Sequence, residues 1–146
     1  MNRARRKAES IFEKYGNDLP AVLAKLDIEV LEVPMNGRLK EIFFGDHIVL
    51  KRGLSGQEKR ELTAHALGHH FMHSGSHYAS SKKIYTFSNY HEKQANVFAA
   101  YLLIPEKELQ KMIFPDINAA DIAEAFEVTD EFACFRLELY KATRSN

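Results

Sequence analysis

One cysteine, Cys134, is the only thiol in this chain of 146 residues. No internal disulfide can brace it, and a reducing compartment is the expected setting. Net charge is missing too, since 20 Lys and Arg balance 20 Asp and Glu. A neutral surface has no general electrostatic attraction for nucleic acid or an anionic membrane, so neither is an expected partner. No segment approaches the roughly 18 apolar residues of a membrane span. The opening "MNRARRKAES" is basic, but no apolar stretch of the kind a secretory leader carries follows it. Internal repeats, low-complexity tracts and linkers are absent as well. These absences describe a cytoplasmic protein with one domain over residues 1–146, long enough for a real core.

What is present is a short β-rich region followed by strong helical patterns. Ala4, Ala8, Ile11, Phe12 and Tyr15 share one helical face, and Gly16 sits where a helix would stop. Arg3, Arg5, Arg6 and Lys7 then fall on its solvated side. Pro20 suits the start of a short helix running to about Leu26. "DIEVLEV" and "KEIFFGDHIVLK" read as strands, with Gly45-Asp46 as a two-residue hairpin turn. A small, largely antiparallel sheet is expected from them. "SGQE", Ser55 to Glu58, has the form of a capping box and opens a helix ending near Gly75. A polar stretch, "SGSHYASSKKIYTFSNY", separates it from a second helix, "HEKQANVFAAYLL", which runs to Ile104 and is cut by Pro105. Then come "PEKELQKMIF", a turn at Pro115-Asp116, and the paired helices "AADIAEAFEV" and "TDEFACFRLELYKA". The fold class is α+β, with its helices concentrated toward the C-terminus.

The chemistry lies in "ELTAHALGHHFMH". Positions i and i+4 stack on one helical face, so His65 and His69 can aim two imidazoles at one point. Zinc takes such nitrogens at about 2.1 Å, and a catalytic site adds a third protein ligand and a water. His73 lies roughly 12 Å along the axis from His65, too far to share its metal, and His70 points elsewhere. The third ligand should come from another element, and Glu92 near the start of the next helix is the candidate. Ala95, Ala99 and Ala100 on its face would allow close helix–helix approach. Asn96, one turn on, could hydrogen-bond a ligand and hold its orientation. Structural readings stand beside these. His65 and His69 also suit partly buried, hydrogen-bonded histidines, and Glu92 occupies the capping-box position relative to Asn89. His47, His77 and His91 read as surface or loop residues, and Leu62, Phe71, Phe98 and Leu102 as core.

"AHALGHHFMH" and "EKQANVFAAYLLIP" together resemble the ImmA/IrrE family of bacterial and phage zinc metallopeptidases. In that family an A-H-E-L-G-H helix is followed, some tens of residues later, by an E-x-x-A-N-x-F-A-x-x-L-L-x-P helix. Glu92, Ala95, Asn96, Phe98, Leu102, Leu103 and Pro105 match the second pattern. "IAEAFEVTDEFACFRLELY" is similar to the family's C-terminal helical pair. The resemblance runs from about Leu19 onward. It implies a zincin-like metallopeptidase domain, Zn²⁺ as cofactor, and His65, His69 and Glu92 as ligands. It also implies a protein substrate, a helix-turn-helix repressor whose cleavage switches on a mobile element or stress response.

The departure is Ala66, which stands where the family has its catalytic glutamate. That glutamate takes a proton from water and passes it to the leaving amine, and such groups supply roughly 10²–10⁴-fold in rate. Glu61 is no substitute, lying about 7.5 Å away along the axis. The glutamate is not a ligand, so zinc binding should survive and the chain should be folded, metal-loaded and nearly inactive. Loss of the proton carrier alone reads as an engineered change in an active enzyme. The alternative is a natural pseudoprotease that binds a regulator. A third reading, DNA binding by the C-terminal pair, is disfavoured because the second helix begins Asp130-Glu131 where phosphates would be met. His77, Tyr78, Tyr85 and His91 are candidate oxyanion donors, and residues 74–89 a candidate gate over the cleft.

Overall fold

A computed structural model describes residues 2–44, 46–72, 89–113 and 117–144. Helix α1 (Asn2–Tyr15) buries Ala4, Ala8 and Ile11, and Gly16 follows at φ 64°. Helix α2 (Leu19–Leu26) has Pro20 in its first turn, while Asp18 accepts a hydrogen bond from the Ala21 amide. These two starts and stops follow the sequence cues closely.

Three strands come next: β1 (Glu29–Val33), β2 (Glu41–Phe44) and β3 (His47–Lys51). They form one sheet in the order β1-β3-β2. β2 and β3 are antiparallel, with Ile42 opposite Val49 and Phe43 opposite Ile48. β1 and β3 are parallel, with Val30 opposite Ile48. The sheet is therefore mixed, not largely antiparallel. The reason is topological: residues 34–40 carry the chain past the place beside β1, so the returning β3 fills that place in the same direction as β1. The Gly45-Asp46 turn lies partly outside the described residues.

Helix α3 (Gly56–Met72) carries the histidines. Ser55 caps it by accepting a hydrogen bond from the Glu58 amide at 3.1 Å. The Glu58 carboxylate also takes Lys40 Nζ at 2.9 Å, and together with hydrogen bonding to Ser55 this holds the carboxyl below its usual range. The residues after Met72, Gly75 included, lie outside those described. Helix α4 (Asn89–Leu103) is buried on nearly all sides from Val97 to Leu103, which explains its run of apolar residues without a polar face. It is the centre of the core, packed between α3 and α1. α3 and α4 approach tightly at Gly68 and Ala95: a β-carbon on Gly68 would sit 2.8 Å from the Ala95 carbonyl oxygen.

Pro105 breaks the chain into α5 (Glu106–Met112), and the pair α6 (Ala119–Phe126) and α7 (Asp130–Arg144) closes the fold. The turn expected at Pro115-Asp116 lies outside the described residues. Asn118 and Asp121 form a reciprocal capping box on α6. Polar ties fasten the pair to the rest. Arg136 is fully buried, donating to the Ile104 carbonyl at 2.8 Å and to Glu106 at 2.7 Å, with its guanidinium stacked 4.0 Å over the Tyr101 ring. Glu61 of α3 accepts from the Thr129 amide at 2.6 Å and its hydroxyl at 3.0 Å, at the very start of α7. Burial raises the Glu61 carboxyl above its usual range, against those two hydrogen bonds that favour its charge.

Candidate metal centre

His65 and His69 stand one turn apart on α3, their ring centroids 4.7 Å apart and their planes at 86°. The close approach at Gly68 and Ala95 brings α4 against that face, with Glu92 one turn before Ala95. Glu92 reaches both imidazoles, Oε2 at 2.9 Å from His65 Nε2 and Oε1 at 3.0 Å from His69 Nε2. The three donor atoms lie within 4.8 Å of one another. A tetrahedral zinc with bonds near 2.1 Å wants its donors about 3.4 Å apart, so small side-chain adjustments suffice to hold it. Two imidazoles and a carboxylate are also a donor set that zinc favours. The residues fit the metal.

A fourth side chain completes the arrangement, and it is one that the sequence analysis did not single out. Glu41 of β2 lies 2.8 Å from His65 Nδ1 and is itself mostly buried. His65 is thus flanked by a carboxylate on each ring nitrogen. Burial alone would lower its pKa, but the charge and hydrogen bond of Glu41, with those of Glu92, lift it to about 10. Burial likewise pushes Glu92 upward, and the hydrogen bonds from the two histidines overcome it, leaving that carboxyl well below its ordinary range. A metal at Nε2 would displace a proton there while Nδ1–H stayed on Glu41. One signal in the sequence could have pointed to Glu41. Alternation along "EIFF" puts it on the same face as Phe43, which is buried, and a carboxylate on a buried face needs a partner.

Ala66 is fully buried next to His65. Asn96 is exposed at the rim beside His65 and makes no hydrogen bond to His65, His69 or Glu92 among the described residues. His70 points away from the centre and packs edge-on against Phe43 and Phe71. His91 neighbours the Tyr90 ring at the start of α4. His47 sits on β3 with Asp46 at 2.7 Å and Glu29 at 3.5 Å. Phe98 and Leu102 are buried in the core, with Leu62 and Phe71 packed against it. His73, His77, Tyr78, Tyr85 and the candidate gate up to residue 88 fall outside the described residues.

His65 also forms one end of a pocket of about 250 Å³. Leu62, Ala99 and Phe132 supply its apolar surface, and Lys40, Glu58 and Asn96 its polar rim. A second depression over residues 36–41 shares Lys40 and Leu62 with it, so the two continue along the start of β2. Among the described residues no helix is long and apolar enough to cross a membrane.

Comparison with known proteins agrees with this geometry. Residues 23–138 match the model of a peptidase family described as the IrrE N-terminal-like domain. That span holds the sheet, the histidine helix, Glu92 and most of the C-terminal pair. The chain is also 30% identical over 131 residues to the phage-like element PBSX protein XkdA of Bacillus subtilis (strain 168). The match covers 88% of this chain but only 65% of that relative, so the chain spans just under two thirds of its length. Motifs, fold and family model converge, and the chain belongs to the ImmA/IrrE family of metallopeptidases with an IrrE N-terminal-like domain.

Proposed function

We propose that this chain is a zinc-binding endopeptidase scaffold, complete in its ligands His65, His69 and Glu92 and nearly inactive because Ala66 replaces the general base. The observation that carries the reading is the convergence of three donor atoms within 4.8 Å from two separate helices. Zinc held there would polarise a scissile carbonyl and acidify a water toward a pKa of about 7. Ala66 offers no group to take that water's proton and return it to the leaving amine. Glu61 does not replace it, because its carboxylate is held at Thr129.

The substrate reading rests on shape and on kinship. Among the described residues β2 lies at the edge of the sheet, and its Glu41 reaches the centre at His65. The Lys51 amide donates to the Lys40 carbonyl at 2.8 Å. That bond sets the alternation, so Glu41 and Phe43 turn their backbone groups to the outer edge. An extended peptide can pair with such an edge and lie across the histidines. Kinship with a phage-like element protein favours a helix-turn-helix repressor as that peptide's source. Direct DNA binding is not part of the reading. Helix α7 opens with Asp130 and Glu131, and its Phe132, Leu137 and Leu139 pack against the core. The isolated loss of the proton carrier, with every ligand standing, favours an engineered change in an active peptidase.

Two measurements test this. Mass spectrometry of the purified chain should find about one zinc, lost or much weakened in Glu92→Ala. The Ala66→Glu variant should then cut a cognate repressor roughly 10²–10⁴-fold faster than the parent. Zinc binding without any gain of cleavage in Ala66→Glu would instead favour a partner-binding module that has given up catalysis. No zinc after reconstitution would make the histidines structural.

A further inference from the structure

We infer that Glu41 is the positioning residue of the metal centre, holding His65 from the edge strand so that its Nε2 faces the site shared with His69 and Glu92. The inference rests on the zinc reading above. Three observations carry it. Glu41 Oε2 stands 2.8 Å from Nδ1, the ring nitrogen that faces away from Glu92, so the imidazole itself separates Glu41 from the donor cluster. Glu41 is therefore a partner of the ligand and not a fourth ligand. Its side chain is only 11% exposed, against 38% for Glu92, so little water competes for the hydrogen bond. And it is carried by β2, while both histidines are on α3, so the contact ties the sheet to the ligand helix.

The chemistry follows from the two ring nitrogens. With a metal on Nε2, Nδ1 must carry the ring proton, and a carboxylate placed to accept it fixes both tautomer and ring orientation. The negative charge also makes Nε2 a stronger donor. His69 and Glu92 sit on helices already locked together at Gly68 and Ala95. His65 is a ligand that lines the pocket, and a strand outside that helix pair restrains it. The same residue offers its backbone to the sheet edge. A peptide docked there would thus lie one residue away, through Glu41, from the imidazole that helps to hold the metal.

The test uses the full chain and zinc alone, with Glu41→Gln and Glu41→Ala. Zinc affinity is read by competition with a chromophoric chelator, ligand geometry by the visible absorption of cobalt-loaded protein, and the fold by metal-free melting. Glutamine keeps an oxygen that can accept Nδ1–H but no charge, whereas alanine removes both. Zinc should bind about 10–100-fold more weakly to Glu41→Ala, with Glu41→Gln in between and an altered cobalt spectrum in each. A purely structural glutamate would lower the metal-free melting temperature and leave the affinity of the folded protein and its cobalt spectrum unchanged. That result, or equal affinity in all three proteins, overturns the inference while the zinc reading stands. If Glu41→Ala does not fold, Glu41→Gln decides by the same readouts. A parent chain that binds no zinc overturns both.

Discussion

Gly68→Ala adds one methyl group where the two helices that carry the candidate ligands touch. An ideal β-carbon there lies 2.8 Å from the Ala95 carbonyl oxygen, 2.9 Å from its Cα and 3.2 Å from its Cβ. The first two are backbone atoms of a buried helix, so no side chain can swing aside. Relief to an ordinary contact near 3.4 Å requires the helices to part by about 0.6 Å, or α4 to slide by as much. In a free helix the same substitution would stabilise by about 1 kcal/mol, because alanine has the better propensity. Overpacking of a tight interface costs about 1–3 kcal/mol. The second effect wins here, since the displaced atoms belong to the core, and net destabilisation should reach up to about 2 kcal/mol.

The same displacement reaches the centre. Ala95 is three residues from Glu92, and Gly68 is three from His65 and adjacent to His69, so a shift at the contact moves one ligand against the other two. Metal–ligand distances tolerate only about 0.2 Å. Zinc affinity should therefore fall about tenfold or more, beyond any loss of fold. Urea unfolding of the metal-free proteins gives the stability difference, and chelator competition on the folded proteins gives the affinity. A Gly68→Ala protein that is more stable than the parent and binds zinc equally well would show that the helices are not held at this contact.

Three further outcomes are expected. Arg136→Ala should destabilise by about 3 kcal/mol in thermal or urea unfolding, because it strands the Ile104 carbonyl and half of Glu106 in the interior, Arg144 still reaching Glu106 at 3.1 Å. Thr129→Ala should cost about 1 kcal/mol in urea, through loss of the hydroxyl that caps the Phe132 amide at 3.2 Å and donates to Glu61. Chelation should lower the melting temperature of the zinc-loaded chain. Free zinc at a hundred times its dissociation constant adds about 2.7 kcal/mol, and a chain indifferent to chelator would contradict the metal reading.

The helices were legible in the sequence because their signals are local. Gly16, Pro20, Ser55 and Pro105 mark boundaries by what one residue does to its own backbone, and the structure places boundaries at each of them. The histidine pair was legible for the same reason, being one turn of one helix. Glu92 needed the second motif, because nothing local says that α4 lies against α3. Sheet order escaped altogether: β1 beside β3 is a pairing between residues 18 positions apart, and alternation within each strand is the same for either neighbour. Glu41 escaped because its role exists only across 24 residues of chain, and Arg136 because an isolated arginine in a helix reads as solvated until its carbonyl and carboxylate partners are in place.

On the proposed reading, position 66 can differ from the family's glutamate without disturbing the rest. The donors are assembled by the contact of Gly68 with Ala95, by the hydrogen bonds of Glu92 to both imidazoles, and by Glu41 on the outer nitrogen of His65. None of these passes through residue 66. Alanine there is buried, leaves no polar atom unpaired, and is the residue a helix tolerates best. A substitution at a ligand would leave its partners to find new hydrogen bonds in a buried site, at a cost of about 1–3 kcal/mol for each group stranded. Loss of the proton carrier strands nothing. On the proposed reading, metal binding and proton transfer are separable in this fold, and a chain with Ala66 keeps its three donors and its pocket while the bond-breaking step is lost.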